Sequence, residues 1–229
     1  MDGSFREPEG GGVTLFGRWR VGALHRQRAT IDAIQAAWRA RPWPSPELLA
    51  YDVLPSTDGT TLLHRSQWTS ADACRTAAVD PSWKSEVDRA VPGIERLGVV
   101  GCRSYRSRAG GADGPAPGCV VLVTRVFDGP DAERADGLVD ALFDSTCATP
   151  APVGLLVARF YVGLAGTHVF NWAEWTSEAA HRSAITRQLP ATVDASRWQR
   201  ICDWPGLTGT TFDRFHPALR LTASGAGEG

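Results

Sequence analysis

Two tryptophans end segments that have strand character, and polar side chains precede each of them at even spacing. His64 and Ser66 precede Trp68, and Asn171 precedes Trp175. Residues two and four positions apart on a strand point to the same face of a sheet. Histidine titrates closer to neutral pH than other side chains, and an amide can donate a hydrogen bond to a developing oxyanion. The pattern predicts pockets in which an indole lies beside a proton acceptor or a donor.

Three further residues are candidates for the same chemistry. His181 follows Trp175 by six positions and is a second candidate acid or base, whereas Cys74 stands at the matching position of the first half. Arg89 and Arg200 are expected near the second helix of each half and are candidates for stabilising negative charge on a ligand. The predicted catalytic set is His64, Trp68, Asn171, Trp175 and His181, and the predicted substrate-binding set is Ser66, Trp68, Arg89, Trp175 and Arg200.

Several classes of function are not expected from the sequence. The formal net charge is −1, which argues against a nucleic-acid partner. No nucleotide loop, HExxH segment or paired Cys/His spacing is present, so we expect no metal and no bound cofactor. No stretch is long and apolar enough for a membrane span, and the N-terminus does not resemble a signal peptide. The five cysteines are widely spaced, which favours a reducing compartment, and we expect a cytoplasmic protein.

The chain contains an internal repeat. A shift of 107 residues aligns Val13–Arg75 with Val120–Arg182 without a gap, and the densest match is Trp-Thr-Ser-x-x-Ala-x-Arg in both copies. We therefore predict a first module over residues 13–107, a Gly/Pro linker over 108–118 and a second module over 119–220. The matched pairs are Val13/Val120, Leu15/Leu122, Arg18/Arg125, Gly22/Gly129, Leu48/Leu155, Gly59/Gly166 and Trp68/Trp175.

Each copy shows the same order of predicted elements, β-α-β-β-α-β, which is the ferredoxin-like unit. Helices cover only one face of such a sheet, and a second copy packed sheet to sheet would bury the other. The sequence thus predicts an α+β protein whose two modules form an intramolecular dimeric α+β barrel. A single chain would then be a pseudo-dimer, and two such chains could still associate as a homodimer. The predicted elements are Val13–Val21, 27–40, Leu48–Leu54, Thr61–Trp68, a helix capped by Thr69 or Ser70, Trp83–Val91 and Gly98–Tyr105, then Val120–Phe127, Asp131–Phe143, Leu155–Val162, His168–Trp175, Ser177–Arg187 and Leu207–Phe215.

The sequence resembles the antibiotic biosynthesis monooxygenase family of the dimeric α+β barrel superfamily. The resemblance lies in Trp68–Ala73 and Trp175–Ala180, in the Pro-Ser-Trp at Pro81 and in the closing Gly98–Tyr105. It implies cofactor-independent oxidation of anthrone-like aromatic polyketides to quinones, with molecular oxygen as co-substrate. It also implies that an Asn four residues before the strand Trp lines the pocket, which is Asn171 here, and that His64 replaces it in the first copy.

Three functions are consistent with these patterns. The first is a cofactor-independent monooxygenase that oxidises a small aromatic polyketide (anthrone or phenol to quinone) with O2 in secondary metabolism. The second is a polyketide aromatase/cyclase that uses the same pocket, with His64 or His181 as acid or base and no oxygen. The third is a non-catalytic ligand-binding accessory protein. The difference between His64 and Asn171 favours one active and one structural half.

Overall fold

The computed structural model describes residues 12–77, 81–110, 116–188 and 194–223. The described residues belong to two compact units. The first unit contains those up to Gly101 together with those from Phe215 onward, and the second unit contains those from Cys102 to Arg214. Each unit is built on an antiparallel sheet, and the two are described in turn.

In the first unit, a central strand pairs antiparallel with a neighbour on either side. Strand β3 pairs with β1 and with β2, and the strand order in the unit is β4-β1-β3-β2-β9. The Ser56–Gly59 turn joins β2 to β3, and Gly59 takes the positive φ of 82° that this turn needs. The elements are β1 Val13–Arg20, α1 Leu24–Arg39, β2 Leu48–Pro55, β3 Thr61–Trp68, α2 Ala71–Thr76, α3 Ser82–Ala90, the first half of β4 Glu95–Ala109, and β9 Leu219–Leu221.

The second unit repeats this plan. Strand β7 pairs antiparallel with β5 and β6, and the strand order is β8-β5-β7-β6-β4. Its elements are the second half of β4, β5 Cys119–Phe127, α4 Ala132–Cys147, β6 Leu155–Gly163, β7 His168–Trp175, α5 Glu178–Ser183, a π-helical turn Ala184–Gln188, α6 Ala195–Cys202, and β8 Leu207–Phe215.

The predicted α+β class and the β-α-β-β-α-β order are confirmed in both units. Ser70, and not Thr69, caps α2, because its hydroxyl accepts a hydrogen bond from the Ala73 amide at 3.0 Å. The sequence patterns missed α6 and β9, which is only three residues long. The sheet-to-sheet barrel remains a prediction.

Strand β4 differs most from its prediction. It was expected to end at Tyr105, but it has 15 residues, and its second half pairs with β6 from Cys102↔Gly163 to Ala109↔Val157. Without this pairing, β6 would present a row of unpaired backbone groups. Arg108 and Ala109, which the predicted linker included, are therefore strand residues; residues 111–115 of that linker lie outside the described residues.

The ungapped alignment of the repeats is wrong in the first strand. Trp175 lies 107 residues after Trp68, but their ladder partners Cys119 and Val13 are 106 residues apart. A slip of one residue exchanges the two faces of a strand. Trp19 therefore corresponds to Arg125, and the predicted Arg18/Arg125 match does not hold. This correction places different side chains in the two candidate pockets.

Each sheet has one apolar face that packs against helices and an opposite face with a buried ion pair. In the first unit, Trp19, Leu62 and Trp68 pack with Trp38 of α1 and Trp83 of α3. On the opposite face, Asp52 is within 3.7 Å of Arg65 and 3.1 Å of Arg220, which tethers β9. In the second unit, Arg159 pairs with Glu174 on the corresponding face. The site residues therefore lie on the helix-covered faces.

Candidate active site

A partly open cavity of about 160 Å³ lies in the first unit between the sheet and its helices. Strands β2 and β3 supply one wall, and α1 and α3 supply the other. No acidic side chain contributes to the lining. The lining residues are Trp38, Leu48, Tyr51, Ser66, Trp68, Pro81, Trp83 and Lys84.

The walls of this cavity are aromatic and pack on one another. Trp38 stacks on Tyr51 with ring centroids 4.8 Å apart, and Trp83 meets the Tyr51 ring edge-on at 6.0 Å. Trp38 and Trp83 are tilted to each other at 5.7 Å. Stacked and edge-on arrangements are favourable beyond simple burial, so they hold each ring in one orientation. The result is a rigid apolar slot suited to a flat ligand.

A tyrosine–histidine pair forms one side of the site. The Tyr51 hydroxyl lies 2.6 Å from His64 Nδ1, and the Trp19 ring lies 4.1 Å from the imidazole. Burial raises the pKa of Tyr51 well above its ordinary value, so the phenol keeps its proton and donates it to Nδ1. The remaining hydrogen of His64 then lies on Nε2, which is buried and has no hydrogen-bond partner among the described residues.

His64 is held neutral. Burial, followed by the positive charges of Arg96 and Lys84, lowers its pKa to about 3. Arg96 lies over the Trp19 ring at 4.6 Å and pairs with Asp88 at 2.8 Å, while Lys84 Nζ lies 5.7 Å from the Trp83 centroid. The site therefore resists the addition of a proton and favours negative charge.

One hydrogen-bond donor is available at the cavity wall. Ser66 Oγ accepts a hydrogen bond from Trp68 Nε1 at 3.1 Å, so the Ser66 hydroxyl hydrogen is left to donate elsewhere. Trp38 Nε1 has no hydrogen-bond partner among the described residues, but it is buried within the packed wall. The Ser66 hydroxyl is therefore the donor that a ligand can reach.

In the second unit, the structure brings Trp175 and His181 together. The imidazole meets the Trp175 ring edge-on at 5.0 Å, and Arg214 Nε donates to His181 Nδ1 at 2.9 Å. Burial, followed by the charges of Arg214 and Arg182, lowers the pKa of His181 to about 4. His181 is thus neutral near pH 7, and its accepting nitrogen is already occupied.

Asn171 lies on the same face as Trp175, and a buried arginine lies near it. Asn171 Nδ2 donates a long bond of 3.4 Å to the Arg159 carbonyl. Arg125, two residues beyond the ladder partner of Asn171, is buried, and its Nη1 has no hydrogen-bond partner among the described residues. Burial lowers the pKa of Arg125 to about 10, which leaves it charged at neutral pH.

The predicted site residues thus fall into three places. His64, Ser66 and Trp68 meet in the first unit, with Ser66 and Trp68 at the cavity wall and His64 behind Tyr51. Asn171, Trp175 and His181 share the helix-covered side of the second unit. Arg89 on α3 and Arg200 on α6 are exposed, and Arg89 is not among the residues that line the cavity.

Sequence reasoning missed Tyr51, Lys84 and Arg96 as residues of the site. One signal for Tyr51 was present. The Ser56–Gly59 turn fixes the hairpin register, and this register places Tyr51 directly opposite Ser66. Lys84 and Arg96 are contributed by α3 and β4, whose positions relative to β3 depend on tertiary packing.

Within the described ranges, no group of three or more His, Cys, Asp and Glu side chains is arranged to hold a metal ion. Among the helices that the structure describes, none combines the length and the apolar character needed to cross a membrane.

No protein-family model and no curated protein matches the chain. Solved structures do match it. An anthrone oxidase-like protein superposes with a TM-score of 0.74 at 16% identity, covering 97% of each chain. The chain shares this protein's fold. Candidate monooxygenases from Fusobacterium nucleatum and Lactobacillus acidophilus give TM-scores of 0.57 and 0.55, each at 8% identity, covering 92% of this chain and 94% and 97% of their own.

These similarities confirm the predicted fold, which the chain shares with an anthrone oxidase-like protein and with two candidate monooxygenases. The identities are low, so the activity has to be argued from the residues of this chain. The aromatic cavity, the Tyr51–His64 pair and the two nearby cations are the features on which such an argument rests.

Proposed function

We propose that the first unit is a monooxygenase site that binds an electron-rich phenol or anthrone and oxidises it with O2 to a quinone. The observation that carries the proposal is the Tyr51–His64 pair beside the aromatic cavity. The shared fold with an anthrone oxidase-like protein supports the same reaction class.

The cavity walls would hold the ring and exclude water from it. Trp38, Trp68 and Trp83 present apolar surfaces that limit the orientations of a flat substrate. Exclusion of water strengthens every electrostatic interaction within the site. It also keeps a substrate radical and superoxide together until they combine.

The polar residues would stabilise the substrate as its anion. The Tyr51 oxygen can accept a hydrogen bond from the substrate hydroxyl while its own hydrogen stays on that oxygen and is donated to His64 Nδ1. His64 is a weak base in the empty site, so it acts behind Tyr51 as a positioning residue. Lys84 and Arg96 supply positive charge, which favours release of the substrate proton to solvent at the open side of the cavity. The peroxide anion that forms later takes a proton back from the same solvent and becomes the hydroperoxide.

The oxidation needs no reactant besides substrate and O2. The anion transfers an electron to O2, and the two radicals combine in a new C–O bond. Loss of water from the resulting hydroperoxide gives the quinone. One oxygen atom enters the product, and the other leaves as water with two substrate hydrogens. Because the anion supplies the electrons, the proposal includes no metal and no organic cofactor. None of the described cysteines forms a disulfide, which fits a reducing compartment such as the cytoplasm.

An aromatase/cyclase is the second candidate, and one observation favours it. A hydrogen-bonded Tyr–His pair can serve proton transfer in an aldol closure or a dehydration without any use of oxygen. The product mass distinguishes the two reactions, because the oxygenase adds one oxygen and removes two hydrogens, whereas the cyclase removes water or changes nothing.

The test is oxygen uptake by the purified, metal-free chain with a tricyclic anthrone and with polyhydroxylated phenols, with product masses measured in parallel. Uptake above the autoxidation blank, together with a quinone product, supports the monooxygenase. Conversion without oxygen and with loss of water would support the cyclase. Binding of the ring without any conversion would contradict both reactions and support the ligand-binding accessory protein.

A further inference from the structure

We infer that the first-unit cavity selects a single aromatic ring that carries a carboxylate, a polyhydroxylated benzoate, with the carboxylate held by Lys84. This inference rests on the proposed function and narrows its substrate class. It is argued from the size of the cavity, from the polarity of its lining and from the position of Lys84.

The cavity has room for one ring. Its volume is about 160 Å³, and a protein cavity of about 150 Å³ accommodates benzene. Trp38, Tyr51 and Trp83 are fixed by mutual ring contacts, so enlargement would require several packed rings to move together. A tricyclic ligand would have to leave two of its rings outside this slot.

The lining offers donors and positive charge, and its side-chain acceptors are two hydroxyl oxygens, those of Tyr51 and Ser66. Ser66 has a hydroxyl hydrogen to donate, and Lys84 has an ammonium group. No Asp or Glu contributes to the lining. A ligand with negative charge and several acceptor oxygens matches such a surface.

Lys84 is suited to meet the carboxylate at the cavity entrance. It is exposed, it lines the cavity, and its ammonium lies 5.7 Å from the Trp83 ring. Among the described residues it has no carboxylate partner, whereas its neighbour Glu86 pairs with Arg41. Its charge is therefore available to a ligand. Lys84 is also the only lysine in the chain, so amine-directed chemistry reports on this position.

The experiment measures binding without oxygen, by tryptophan fluorescence and by protection of Lys84 from acetylation, followed by mass spectrometry. The probes are 2,4-dihydroxybenzoate, its methyl ester, resorcinol and anthracene-2-carboxylate. We expect the acid to bind at least 10-fold tighter than its ester or resorcinol and to protect Lys84, while the N-terminal amine still reacts. Lys84→Met should abolish the preference for the acid, and Lys84→Arg should retain it.

Equal affinity for acid and ester, an unchanged preference in Lys84→Met, or tighter binding of the three-ring acid would overturn the inference. Oxygen uptake with the tightest-binding probe is then measured separately. Binding of the acid without uptake would contradict the monooxygenase and leave the ligand class intact. Uptake with no preference between acid and ester would contradict the ligand class alone.

Discussion

The helix-covered faces of the two units carry different chemistry on the same framework. At matched ladder positions, Trp19, Tyr51, His64 and Ser66 of the first unit are replaced in the second by Arg125, Ala158, Asn171 and Ala173, while Trp68 is matched by Trp175. The first unit therefore has an aromatic slot with a hydrogen-bonded Tyr–His pair. The second has small side chains, an amide and a buried arginine.

The comparison shows which features belong to the framework and which to the chemistry. The strand-end Trp and the Ser that caps the next helix occur in both units, through Ser70 and Ser177. Their occurrence in both units is explained by folding, and Trp68 additionally lines the cavity of the first unit. Tyr51 and His64 occur only in the first unit, so they are the better guide to function.

Both units bury an acid–arginine pair on the face opposite the site, and removal of the acid should have the largest effect on stability. We expect Asp52→Ala to lower the free energy of unfolding by about 3–5 kcal/mol, because it leaves Arg65 buried without this partner. Glu174→Ala should lower the free energy of unfolding by a similar amount, because it removes the carboxylate that pairs with Arg159. Urea denaturation measures both. Oxygen uptake per folded molecule should stay within twofold of the unmodified protein; a tenfold loss in either variant would show that the pair belongs to a site.

The buried histidines should make the protein less stable in acid. The pKa of His64 is about 3 when folded, and that of an unfolded histidine is about 6.5. The unfolded chain thus binds more protons between these values, and stability falls as the pH drops from about 6.5 toward 3. Inside this window, His64 alone lowers the free energy of unfolding by about 1.4 kcal/mol for each pH unit of acidification.

Urea unfolding at pH 7, 5.5 and 4.5 checks this expectation in the His64→Gln and His181→Gln variants. His64→Gln should flatten the pH dependence. His181→Gln should flatten it as well, because the pKa of His181 is also lowered, to about 4. An unchanged slope in His64→Gln would mean that this histidine is charged in the folded protein, contrary to the neutral Tyr–His pair.

The smallest expected difference concerns the two strand-end tryptophans. Trp68 Nε1 donates to Ser66, whereas Trp175 Nε1 is buried with no hydrogen-bond partner among the described residues. Trp68→Phe leaves Ser66 without this donor, and Trp175→Phe removes an unsatisfied group. We expect Trp68→Phe to be more destabilising by about 1 kcal/mol. Equal costs in thermal unfolding would show that the two indoles are in equivalent environments.

The sequence predicted the elements well where short-range patterns determine them. The hairpin Thr61–Trp68 and its turn follow from alternation and from Gly59. The pairing of β4 with β6 could not be predicted, because a strand's partner depends on which edge is unpaired in the folded protein. The module boundaries 13–107 and 119–220 describe a sequence repeat and remain a proposal about duplication.

The candidate site was predicted only in part, for a similar reason. His64, Ser66 and Trp68 lie on one strand, so their common face follows from the spacing of two. Tyr51 is on the neighbouring strand, and Lys84 is on a helix that packs across the cavity. In the structure, β5 is shifted by one residue relative to β1 when the two repeats are matched by their ladder partners. A gapless sequence alignment cannot represent this shift, so it paired Arg125 with Arg18 and did not show that Arg125 replaces Trp19.

The assignment of oxidation to the first unit is tested most directly by oxygen uptake in Tyr51→Phe and Asn171→Ala, measured side by side with folding checked by circular dichroism. Tyr51→Phe keeps the ring and removes the hydroxyl that bonds His64. We expect it to lower kcat about 100-fold, the usual cost of losing one hydrogen-bonding group at a reacting centre. Asn171→Ala should change kcat by less than twofold. A 100-fold loss in Asn171→Ala, with Tyr51→Phe nearly unaffected, would contradict this assignment and place the reaction in the second unit.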